Sequence, residues 1–150
     1  MELVKYLHTG KRQIDVAKQI LEVCDKEFGM VIGNYERHKA HITILIVYTQ
    51  DDITELLKKH IRATDMVQGC KIGDAYLSVV FLTFTDMEGG YCFATFMENN
   101  LQNEQIEYRF FIDELNRAAN ANPVNFIDNF LFEIENQATD FSSFLKCSNQ

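Results

Sequence analysis

Residues 66–83 read MVQGCKIGDAYLSVVFLT, two strand-like runs joined by Ile72, Gly73 and Asp74. The second run, 75–83, is dense in Val, Phe, Tyr and Leu, and Gly-Asp between the runs is a hairpin-turn signal. Upstream, HITILIVY (41–48) is apolar and β-branched almost throughout. An unbroken run of that kind predicts a central strand covered on both faces. Between these strands Asp52 is expected to start a helix through Ile53, Leu56, Leu57, His60 and Ile61, with Glu55 three residues on completing the cap. Downstream, Thr85, Asp86, Met87 and Glu88 have the S/T-x-x-E form of a capping box, opening a helix through Phe93, Phe96, Met97 and Leu101. Residues 106–112 read as a further strand.

Towards the ends, Ile14, Ala17, Leu21, Cys24 and Phe28 stand at helical spacing, with Gly29 as the expected stop. Pro123 suits the first turn of a last helix whose face is Ile127, Phe130, Leu131 and Ile134. The order is therefore α-β-α-β-β-α-β-α. Without its terminal helices it is β-α-β-β-α-β, the ferredoxin-like order, an α+β arrangement with helices packed on one antiparallel sheet. Many unrelated functions use that fold, so residues must decide the function.

The chain has 150 residues, 47% hydrophobic and 24% charged, which fits a single globular domain over 1–150 with a sizeable core. Its formal net charge is −8, and residues 101–150 hold eight acids against three bases. That sign disfavours nucleic-acid polymers and anionic membranes, though one arginine can serve a small phosphate ligand. The four cysteines (Cys24, Cys70, Cys92, Cys147) show no metal-ligand spacing and are expected as reduced, buried hydrophobes. No apolar run approaches the roughly 18 residues of a membrane span, and the opening residues lack the pattern of a signal peptide. A soluble cytoplasmic protein is the expectation.

In order and spacing the chain resembles the GGDEF domains of diguanylate cyclases, in bacterial signalling. In that family a helix carrying R-x-x-D precedes a hairpin with the turn G-G-D/E-E-F, followed by a strand and a helix opening after a T-D-x-E-like sequence. Arg62 to Asp65 stands for the first motif, Ile72, Gly73, Asp74, Ala75 and Tyr76 for the second, and Thr85 to Gly90 for the third. Thr9, Gly10, Lys11 and Arg12 are similar to the family's opening, and IEYRFFIDEL (106–115) occupies the place of its late strand. The resemblance covers roughly residues 5–140 and implies a nucleotide-cyclase-like fold.

Departures from the family pattern bear on activity. Active members hold Mg²⁺ with two carboxylates, one from a D-x-D at the end of the first strand and one from the signature. Here that strand ends Tyr48, Thr49, Gln50, without a carboxylate. Asp74 keeps the signature's metal position, but Ile72 replaces a glycine, where its side chain is expected to crowd the phosphate, and Ala75 replaces the following Glu. The segment that recognises guanine is also missing. The expectation is a non-catalytic regulatory domain with no cofactor and no metal, acting on a protein partner or a second copy. The resemblance implies that Arg62 and Asp65 are a site for cyclic di-GMP, the arginine on phosphate and guanine and the aspartate on the guanine edge. The bland alternative is a surface ion pair.

Two other readings stand beside it. One is a divergent nucleotidyl cyclase using Asp74 with Asp51 or Asp52. The other is a structural dimerisation module. His38 and His41 are weak metal candidates. Among the tail phenylalanines, Phe126 and Phe130 belong to the buried side of the last helix, whereas Phe132, Phe141 and Phe144 either close over the sheet edge or form a partner patch.

Overall fold

The computed structural model describes residues 10–38, 40–73, 75–115 and 122–136. The elements are α1 (Gly10–Val23), α2 (Asp25–His38), β1 (Ile42–Thr49), α3 (Thr54–Lys58), β2 (Met66–Ile72), β3 (Ala75–Thr83), α4 (Met87–Asn103), β4 (Tyr108–Glu114) and α5 (Pro123–Asn136). The strands form one antiparallel sheet in the order β2-β3-β1-β4. Among the described residues no helix is long and apolar enough to cross a membrane.

Every residue of β1 is buried, as its unbroken apolar run requires of a strand with neighbours on both sides. Its side chains alternate between two cores. Ile42, Ile44, Ile46 and Tyr48 join Val16, Ile20, Phe28, Phe126 and Phe130 from α1, α2 and α5. Leu45 and Val47 join Leu57 of α3 and Ala94, Met97 and Leu101 of α4. The sheet is thus the middle of three layers. Each fully buried Ile or Phe contributes about 1.5–3 kcal/mol relative to exposure, so β1 is the strongest apolar anchor in the chain.

The expected helix over 12–28 does not stop at Gly29. Val16, Ile20, Cys24, Phe28 and Val31 form one buried stripe that runs through it. Cys24 N–H still bonds the Ile20 carbonyl (3.0 Å) and Phe28 N–H the Cys24 carbonyl (2.9 Å), so α1 and α2 are almost continuous. Burial of the stripe outweighs the roughly 1 kcal/mol that glycine costs inside a helix. The last strand begins two residues later than expected, at Tyr108. Phe126 and Phe130 are buried as expected, and Phe132 is exposed. Cys24 and Cys70 are buried, but Cys92 is exposed on α4, against the expectation for it. Cys147, Phe141 and Phe144 lie outside the described residues.

Helix α4 lies close on the sheet because Gly90 has no side chain. A Cβ there would meet Thr43 Cγ2 at 2.6 Å and Ile112 Cδ1 at 2.9 Å. Nothing lies within 4 Å of the corresponding point at Gly29. Gly90→Ala should therefore destabilise the fold by about 1–3 kcal/mol, whereas Gly29→Ala should stabilise it by about 0.5–1 kcal/mol. Thermal melts of the two variants check both signs.

Candidate functional site

Helix α3 ends after five residues, well short of the expected His60 and Ile61. His60 N–H already turns to the Leu57 carbonyl (3.0 Å), and beyond it Asp65 Oδ2 accepts the backbone N–H of Arg62 at 3.0 Å, so the helix does not resume. Arg62 and Asp65 consequently sit in the loop before β2 and not on a helix. The Arg62 guanidinium returns to the same carboxylate as a fork, Nε to Oδ2 at 3.0 Å and Nη2 to Oδ1 at 2.9 Å. Thr83, at the end of β3, donates its N–H to Oδ1 (3.0 Å), and its hydroxyl donates to the Thr64 carbonyl (3.1 Å).

Arg62 Nη2 also bonds the Thr83 carbonyl and, at 2.7 Å, Thr85 Oγ1. Thr85 Oγ1 donates to the Thr83 carbonyl (2.9 Å), and the Thr85 carbonyl accepts from Thr43 Oγ1 of β1 (2.8 Å). The Asp65 side chain is 2% exposed and that of Arg62 is 55% exposed. The carboxylate therefore has four donors around it, while the guanidinium keeps one edge towards solvent. Nη1 bonds nothing among the described residues. The sequence showed the pair but missed Thr83 and Thr85, whose role depends on the β3 end returning past the loop.

Thr85 is consequently not the cap of α4. That role falls to Asp86, whose Oδ1 accepts from Gly89 N–H at 2.9 Å. Phe84, between the two threonines, is held at φ 51, and its side chain is 59% exposed. Phe96, expected on the buried side of α4, is also exposed and lies edge-on to His60.

The signature residues lie at the other end of β3. Ile72 pairs with Ala75 across a two-residue turn in which Gly73 adopts φ 60, a value glycine takes without strain. Ile72 is 2% exposed and packs in the α1/α2/α5 core, so its side chain does not crowd the turn as expected. Ala75 is fully buried, and Tyr76 is half-buried between Thr49 and Lys71. Asp74 lies outside the described residues. The eight strand steps from Ala75 to Thr83 put about 26 Å between the turn and the Arg62–Asp65 cluster. The two groups do not form one site.

At the end of β1, Thr49 Oγ1 donates to the Asp51 carbonyl at 2.6 Å. Asp52 Oδ1 accepts from Thr54 Oγ1 (2.6 Å) and Thr54 N–H (3.0 Å), which holds its carboxyl below the usual carboxylate range. It stands one residue before the helix cap, Ile53, and the helix starts at Thr54. A polar cleft of about 260 Å³ opens beside it, lined by Asp52, Thr54, Lys58, Tyr76 and β2 from Val67 to Lys71. His41 Nδ1 is paired with Glu114 of β4, and the His38 side chain lies outside the description. Among the described residues no group of three or more His, Cys, Asp or Glu could hold a metal ion.

No protein-family model matches the chain, and no curated protein or solved structure is similar to it.

Burial alone would raise the pKa of Asp65. The Arg62 fork and the N–H groups of Arg62 and Thr83 more than reverse this and hold the carboxyl below its ordinary value. A lowered folded pKa gives stability that is complete above the unfolded pKa and lost as pH falls through the folded one. Asp65→Ala should therefore cost about 3 kcal/mol near neutral pH, because it strands Arg62 and Thr83 without their acceptor. The difference from the parent should begin to shrink below about pH 4, where the unfolded chain's carboxyl takes up a proton before the folded one does. Urea unfolding at neutral pH and at pH 3 checks both.

Proposed function

We propose that this chain is a GGDEF-like domain of ferredoxin-like topology that acts by binding a protein, not by nucleotidyl transfer. The β-α-β-β-α-β order with strands arranged 2-3-1-4 supports the topology; α1, α2 and α5 add a third layer to it. The observation that carries the non-catalytic reading is the end of β1. Tyr48, which is buried, and Gln50 stand where the family pattern has its D-x-D carboxylates, and of the two candidate substitutes Asp52 is turned back onto Thr54. Two-metal phosphoryl chemistry needs carboxylates that hold the metal ions, and this one accepts from the start of its own helix.

Arg62 and Asp65 serve the fold in this reading. With four donors already on its four lone-pair sites, Asp65 has no well-placed lone pair for a guanine edge. The 55% exposure of Arg62 favours one narrower alternative, in which its outer edge contacts a phosphate of cyclic di-GMP while Asp65 stays in place.

Incubation with GTP or ATP and Mg²⁺ or Mn²⁺, followed by chromatography, is expected to give no cyclic dinucleotide. Product that disappears in Asp74→Asn would overturn the non-catalytic reading. Calorimetric titration with cyclic di-GMP is expected to give no heat up to high micromolar ligand. Binding that is lost in Arg62→Ala would establish the phosphate alternative.

A further inference from the structure

Strand β2 is an edge of the sheet, and the hairpin register decides which of its backbone groups face outward. Ile72 and Ala75 flank a two-residue turn and so form a hydrogen-bonded pair, which directs residues 70, 68 and 66 at β3 and residues 71, 69 and 67 away from it. Gln19 Nε2 bonds the Lys71 carbonyl at 2.7 Å from outside, in agreement with that phase. The outward N–H and C=O of Val67 and Gly69 meet no such partner among the described residues.

The polar cleft runs along these groups. One wall is β2 from Val67 to Lys71, and the other is Asp52, Thr54 and Lys58. Gly69 is a glycine because α3 comes so close, a Cβ there lying 2.6 Å from Thr54 Cγ2. Its backbone is left exposed by the missing side chain. The cleft's charged groups are Lys58, Lys71 and Asp52. Asp52 is bonded to Thr54 and lies within the field of Lys58, whose one ion pair among the described residues is with an exposed Glu55 at 3.4 Å. In a chain of net charge −8, this edge presents two lysines beside unpaired strand backbone.

We propose that the outer edge of β2 takes up an extended, acidic segment of a partner protein as a fifth strand. Val67 and Gly69 bond its backbone, and Lys58 and Lys71 meet its carboxylates. Strand addition of this kind draws affinity from main-chain hydrogen bonds and selectivity from the flanking side chains. Edge lysines also discourage indiscriminate pairing, so they select an acidic strand over a neutral one. The inference rests on the binding-domain reading and names its partner class.

The test uses the full chain with an acetylated, amidated Glu-Val repeat peptide, followed by fluorescence anisotropy and amide hydrogen exchange. The expected result is saturable binding that slows exchange at Val67 and Gly69 by about tenfold or more. The variant Lys58→Glu/Lys71→Glu, with an unchanged circular-dichroism melt, should bind at least about tenfold more weakly. A Lys-Val repeat should not bind. Absence of saturable binding up to millimolar peptide would overturn the proposal, as would equal binding of the Lys-Val repeat or protection confined to β4. Protection of Val67 and Gly69 before any peptide is added would overturn it too, assigning the edge to a second copy or to the chain's own terminal residues. None of these failures touches the non-catalytic reading, which falls only to nucleotide turnover.

Discussion

A carboxylate that is 2% exposed must find donors for its lone pairs, and the way Asp65 does so sets the ends of several elements at once. It takes the Arg62 N–H, so the helix that ended at Lys58 does not resume. It takes the Thr83 N–H, tying the start of β2 to the end of β3. The arginine that neutralises it reaches Thr85, so the cap of α4 passes to Asp86. Phe84 adopts its positive φ between two threonines that are both held in place. An isolated surface pair is worth little, whereas a buried carboxylate stripped of its cation is strongly destabilising.

The rest of the architecture hangs on β1, which shares its side chains between two cores, and on the hairpin, whose turn lies a strand's length from the Arg62–Asp65 cluster. This separation leaves the molecule with two polar ends. One end is closed by internal bonds. The other carries the cleft beside β2, with exposed strand backbone and two lysines along it. A binding role is easier to reconcile with that second end than with the first.

Much of this was legible in the sequence. The doubly buried β1 declared itself by a run with no polar face, and the hairpin by Gly73, whose conformation no β-branched residue would accept. Pro123 marked the start of α5. Less legible was anything decided by partners distant in the chain. Gly29 reads as a stop until the buried stripe is seen to continue to Val31. Thr85 and Asp86 both fit a cap, and only the arrival of Arg62, 23 residues away, decides between them. Arg62 and Asp65 stood out by type and spacing, but whether they faced a ligand or the fold depended on Thr83. The cleft has no motif, because strand edges are a property of sheet order.

The central claim is that Arg62 and Asp65 belong to the fold. A double-mutant cycle measures it directly, with unfolding free energies of the parent, Arg62→Ala, Asp65→Ala and the double variant at neutral pH. A bonded pair whose carboxylate is buried predicts a coupling of about 1 kcal/mol or more, with the double variant less destabilised than the sum of the single ones. A coupling near zero, with both single variants as stable as the parent, would contradict the account and return the pair to the surface as a ligand site.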